Sequence, residues 1–163
     1  AAACAPAGKN KTLICFSDNL DRAIATFILA NGAAATGSKV SIFFTFWGLN
    51  VIKKKHGPAV KKTLTEKMFA HMLPKSSDSL ALSKMNMMGM GSKMIRGIMK
   101  KKNIDSLESL IRQAMDNGVE FIACQMTMDM MGIKKEELLN GVTVGGVASY
   151  MQKAEEAGVN LFI

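Results

Sequence analysis

"KTLICFSDNLDRAIATFILANGAAATGSKVSIFFTF", residues 11–46, decides the fold. "KTLICFS" (11–17) is a short, mostly apolar run that stops at Ser17-Asp18. "SDNLDRAIATFILANG" then changes to helical spacing, with Leu20, Ala23, Ile24 and Phe27 on one face. Ser17 or Asp18 caps the start, and Asn31-Gly32 suits the end. "KVSIFFTF" (39–46) is a second apolar run of strand length. Two near-continuous apolar strands joined by a helix make a βαβ unit, whose strands are parallel and buried on both faces.

The rest of the chain extends this pattern. The spacing predicts helices over 58–72, 82–102 and 105–118, the first opened by Gly57-Pro58 and the last stopped by Asn117-Gly118. A third strand follows at 119–123 and a helical turn after it; "GVTVGGVASYMQKAEEAGVNLFI" then adds a short strand, a helix over 146–157 and a last strand at 159–162. Five short strands alternating with helices predict a three-layer α/β sandwich around a mainly parallel sheet. At 163 residues the chain makes one domain, long enough to bury about two thirds of its unfolded surface. Residues 1–9 read as a flexible tail and 10–163 as the domain. Residues 45–104 form one long helical excursion, rich in Met and Lys.

No apolar run reaches the roughly 18 residues of a membrane span. "AAACAPAGKNK" lacks a charged and an apolar segment of the signal-peptide kind, and the missing initiator Met suggests that the numbering begins after processing or at an imposed boundary. Three cysteines cannot all pair and match no zinc spacing, so a reducing cytoplasm is the expected compartment. No metal or cofactor is expected.

Charge is unevenly spread. Residues 53–102 hold 13 of the 21 basic side chains against only Glu66 and Asp78, a local balance of +11 in a chain of net +8. A solvated lysine-rich face is the favoured reading, ahead of an anionic partner or a membrane surface. One Trp, one Tyr and no Arg-rich motif argue against nucleic acid. Met87, Met90, Met94 and Ile98 form a stripe at helical spacing, which reads as core or oligomer packing before Cu(I) binding or partner docking.

Cys124 is the candidate for chemistry. In an open parallel sheet the ligand crevice lies beyond the carboxyl ends of the strands, where strand order reverses. A flavodoxin-like order places that reversal between the first and third strands, so that Ser17-Asp18-Asn19 and Cys124-Gln125 meet there. A thiol at a helix N-terminus also faces free N–H groups and the positive dipole end, which favour thiolate. The methionines of "QMTMDMM" would wall it. The same position suits a space-filling core cysteine, and the residues alone leave both readings open. Cys15 reads as core and Cys4 as an incidental tail thiol. His56 and His71 have no cue linking them to Cys124. Neither GxGxxG nor a P-loop is present, and the glycines of "MGMGS" (88–92) are wrongly spaced for phosphate. Gly145-Gly146 reads as close helix–strand packing before an anion site.

"FFTFWGLNVIKKK", "LSKMNMMGMGSKMIRGIMKKKNIDSLESLI", "FIACQMTMDMMGIKKEEL" and "GGVASYMQKAEEAGVNLFI" together resemble the DsrE/DsrF/DsrH-like family. The closest likeness is to its peroxiredoxin-like, DsrE-type sulfurtransferase branch, and it runs from Lys11 to Ile163. Cys124 matches the cysteine of that branch's C-x-M-[ST]-M-D motif. The resemblance implies a DsrE-like parallel sheet and sulfur relay through a persulfide on Cys124. Gln125, Met126, Thr127, Ser17 and Asn19 are the expected supporting residues. It also implies homo-oligomers and rhodanese-like or TusA-like relay partners. With no second cysteine near Cys124 in sequence, hand-off to a partner's thiol is expected. The alternative is a non-catalytic oligomeric binding module, using the strand-end crevice or the basic Met-rich face for a small ligand, a protein or a membrane.

Overall fold

β1 (Asn10–Cys15) and β2 (Val40–Phe44) pair in parallel, Leu13 opposite Ile42, with α1 (Leu20–Ala35) crossing between them. This βαβ unit begins a computed structural model that describes residues 9–163. The expected tail therefore falls on residues outside the described ones, except Lys9, which bridges to Ala157. After β2 come a 3₁₀ segment, Phe46–Ile52, then α2 (Leu64–Met72), α3 (Met90–Lys101) and α4 (Leu107–Asp116). β3 (Glu120–Cys124), α5 (Gln125–Met131), β4 (Thr143–Gly145), α6 (Val147–Glu155) and β5 (Ala157–Phe162) complete the order.

The five strands form one all-parallel sheet in the order β4-β3-β2-β1-β5. This is an α/β sandwich of three layers. The reversal expected between β1 and β3 lies instead between β1 and β5, because β2 pairs with both β1 and β3. The connections from β1 to β4 advance in one direction, and the last reverses. Right-handed crossovers then place α1 and α4 on one face and α6 on the other.

The two faces differ in content. On the α1/α4 face Leu13, Phe44 and Phe121 pack with Leu20, Phe27, Leu110 and Ile111. The rings of Phe27, Phe44 and Phe121 form a triangle with centroids 5.4 to 6.2 Å apart. Each fully buried ring contributes about 2–3 kcal/mol by area alone. The α6 face is smaller: Phe43, Ile122, Cys124 and Tyr150, flanked by Ile14 and Ala154. β2 is buried on both faces as expected, whereas β5, an edge strand, leaves most of its residues exposed.

Two expected helices start later than their apolar patterns. The 58–72 pattern becomes α2 only from Leu64, because Thr63 and Glu66 form a reciprocal capping box there. The 82–102 pattern becomes α3 only from Met90. Met85, Met87 and Met88 have positive φ, and the chain folds back so tightly that a Cβ on Gly91 would lie 2.0 Å from the Met85 carbonyl oxygen. The glycines of "MGMGS" serve this turn. The methionine stripe is not core: Met87, Met90, Met94 and Ile98 are all exposed.

Candidate functional site

β3 passes into α5 without a loop, and Cys124 is both the last strand residue and the helix N-cap, with φ −70° and ψ 114°. Its main chain still pairs with β4, opposite Gly145. A Cβ at Gly145 would come within 3.0 Å of Ile122 Cγ2, so this glycine serves close packing between strands, next to the thiol. The hydroxyl of Thr127, one turn into the helix, lies 3.1 Å from that of Thr45 and accepts from the Phe46 N–H at 3.3 Å. These bonds fasten α5 to the carboxyl end of β2.

The Cys124 side chain points to the α6 face. There it packs with Ile14, Phe43, Ile122, Tyr150 and Ala154 and is 1% exposed. It is thus covered, not open to a crevice. The cover is aromatic and aliphatic, because the neighbouring methionines face elsewhere. Met128 and Met131 join the core of the opposite face, while Met126 and Met130 point to solvent. A seven-residue helix spreads its side chains around the axis, so closeness in sequence did not make a wall. Gln125 is exposed and donates to the Asp129 carboxylate at 2.8 Å, which holds that carboxylate outside the thiol's packing.

Ser17 and Asn19 do not join Cys124. With β2 between β1 and β3, they sit two strands away, roughly 10 Å in the sheet direction. They bond to each other instead: the Ser17 hydroxyl donates to Asn19 Oδ1 at 3.0 Å and accepts the Asn19 N–H at 3.2 Å. Asp18 accepts from Asn50 Nδ2 at 2.9 Å.

Cys15 lies on the other face of the sheet from Cys124, in the main core. Burial pushes its thiol up to about 12, and its S–H donates to the Ser17 carbonyl at 3.6 Å. A Cβ at Gly48 would sit 2.0 Å from the Cys15 carbonyl oxygen, so the chain closes over this residue. Cys15 is a protonated core thiol. Among the described residues no three His, Cys, Asp or Glu side chains group to hold a metal. No described helix is long and apolar enough to cross a membrane.

Sequence reasoning missed the cover itself. Tyr150, the single tyrosine, and Phe43 carry it, their centroids 5.0 Å apart. The signal available was a lone Tyr at the middle of the one helix assigned between the fourth and fifth strands.

The comparisons with known proteins place the family and the fold. The model of the DsrE/DsrF/DrsH-like family matches residues 7–162. The chain belongs to that family. Uncharacterized protein YrkE of Bacillus subtilis (strain 168) is 49% identical over 155 residues, covering 95% of this chain and 97% of YrkE. Sulfur carrier protein DsrE2 of Allochromatium vinosum is 36% identical over 156 residues, covering 95% and 98%. Among solved structures, the ychN protein from E. coli superposes with a TM-score of 0.52 at 9% identity, over 94% of this chain and 98% of that one. MTH1491 from Methanobacterium thermoautotrophicum gives 0.54 at 14%, over 94% and 99%. These two share the fold, and the family match together with the relative named a sulfur carrier supports a sulfur-relay role at the level of the DsrE-like family.

Proposed function

We propose that this DsrE-like protein is a cysteine-persulfide sulfur carrier or sulfurtransferase, with Cys124 holding the sulfur. One observation carries the reading: Cys124 ends β3 and opens α5, in a chain related to a protein named a sulfur carrier. In the first step the Cys124 thiolate attacks the outer sulfur of a donor persulfide, R–S–SH. The Cys124 S–S bond forms, the donor S–S bond breaks, and the donor leaves as thiolate. In the second step an acceptor thiolate attacks the outer sulfur, forms its own S–S bond, and returns Cys124 as thiolate. No net oxidant or reductant is needed.

The Cys124 side chain takes no N–H of α5 while it is packed; in the reaction the free N–H groups of that first turn stabilise negative sulfur once it turns toward them. The apolar cover of Phe43, Ile122 and Tyr150 keeps water from the outer sulfur between steps. A thiol 1% exposed reacts only when α6 or the first turn of α5 shifts. Among the described residues the other thiol, Cys15, sits across the sheet and stays protonated, and we place the acceptor thiol on a partner, of the rhodanese-like or TusA-like class that the family resemblance implies. We place the protein in the reducing cytoplasm, where such thiols stay free.

Intact-mass measurement after incubation with glutathione persulfide tests this. The protein gains one sulfur atom at Cys124 and loses it to reductant, while the Cys124→Ser variant folds and gains none there. Equal labelling of the other cysteines with Cys124 inert overturns the assignment.

A further inference from the structure

We propose that the cleft between α4 and the segments 53–55 and 74–79 binds a small organic carboxylate with an apolar body. The cleft has a volume of about 610 Å³, within the range of small-molecule sites, roughly 300–1,000 Å³. Ile111, Met115 and Leu139 give it an apolar floor. All three belong to the core of the α1/α4 face, so the cleft lies across the sheet from Cys124 and is independent of the persulfide reading.

Its charges decide the ligand. Four cations and two acids line it. Lys55 pairs with Asp78 at 2.8 Å, and Arg96 pairs with Glu108 at 3.2 Å. Arg96 also donates to the Ser77 carbonyl at 2.7 Å, and the Ser77 hydroxyl donates to Glu108 at 3.4 Å. The rim is therefore held in place by its own bonds. Lys53 and Arg112 remain without a carboxylate partner among the described residues. The Lys53 ammonium donates only to the Pro74 carbonyl, at 3.1 Å, which leaves N–H groups to offer.

Burial pushes the Lys53 ammonium down to about 8, against the pull of Glu137 and Asp18 and with the push of Lys62. A bound carboxylate opposes that lowering and forms a hydrogen-bonded ion pair with Lys53 in a half-buried setting. Arg112 lies at the exposed side of the same cleft. Two free cations above an apolar floor match one carboxylate on a hydrocarbon or aryl body. A phosphate ester of higher charge meets Asp78 and Glu108 and finds no anion-cradling glycine loop among the lining residues.

Amide-shift titration of the full chain with 4-phenylbutyrate tests the proposal, with acetate and 4-phenylbutanol as probes of charge alone and body alone. Phenylbutyrate shifts the amides of Lys53, Ile111 and Leu139, and both controls bind at least about fivefold more weakly. Lys53→Met and Arg112→Glu each weaken phenylbutyrate binding by about fivefold or more. Arg112 is exposed, so its variant keeps the test valid even if Lys53→Met alters folding. Shifts confined to the exposed methionines, or unchanged affinity in Arg112→Glu, overturn it.

Discussion

Tyr150 of α6 stacks on Phe43 of β2 with ring centroids 5.0 Å apart and planes at 27°. The Tyr150 hydroxyl lies 3.1 Å from that of Thr12, which also bonds Asn160. One side chain thus ties a single helix to β2, β1 and the β5 edge, and it does so over the Cys124 thiol.

Removing the ring should expose the thiol. Tyr150→Ala costs about 3 kcal/mol or more as a large-to-small core change, and iodoacetamide labelling of Cys124 rises more than tenfold. Tyr150→Phe keeps the ring and loses only the hydroxyl bond, about 1 kcal/mol, with labelling nearly unchanged. Peptide mapping separates Cys124 from Cys15, which stays slow in both. Unchanged Cys124 labelling in Tyr150→Ala would mean that reagents enter past Gln125 and Met126 instead.

Alkaline pH should act through Lys53. Its folded pKa is lowered from 10.5 to about 8, so the unfolded chain holds more protons between those values and stability rises with pH there. Cys15 works the other way: raised from 9.0 to about 12, it contributes stability below pH 9 that is lost as pH climbs toward 12. Urea unfolding between pH 8 and 9 weights the lysine, because the Cys15 thiol of the unfolded chain only begins to ionise there. The wild type gains stability over that interval, and Lys53→Met flattens the gain. An equal slope in the variant refutes the assignment to Lys53.

We propose self-association through the α3 stripe. Met90, Met94 and Ile98 are 65%, 55% and 42% exposed, an apolar patch that a second subunit would cover. Because Met94 is outside the core, Met94→Asp keeps urea stability within about 0.5 kcal/mol. Light scattering should show its mass falling toward monomer. A folded variant with unchanged mass removes this surface as the interface.

Gly132 carries a positive φ of 66°, and a Cβ there would lie 2.4 Å from Glu66 Cγ, the capping-box residue of α2. Gly132→Ala therefore strains both the end of α5 and its contact with α2, at about 1–3 kcal/mol. Thr63→Ala, which removes the cap alone, costs about 1 kcal/mol. Unfolding midpoints of the two variants order these costs, and a smaller loss in Gly132→Ala contradicts the contact.

The sequence by itself determined the strands, most of the helices, the parallel α/β class and Cys124 as the residue at the end of β3. Those features are local: apolar runs of strand length, 3.6-residue spacing and turn residues are written within a few positions of where they act. The later starts of α2 and α3 were also written locally, in Thr63–Glu66 and in glycines, but apolar spacing ran past them. The tertiary structure decided what is non-local. Strand order put β2 between Ser17 and Cys124, and the reversal at β5 left α6, among the described residues, as the helix of the second face. A one-residue alternation then sent Cys15 to one core and Cys124 to the other, because successive side chains of a strand point to opposite faces. The cover over the thiol and the pairing of charges around Lys53 join residues far apart in the chain, and only folding brings such residues within reach.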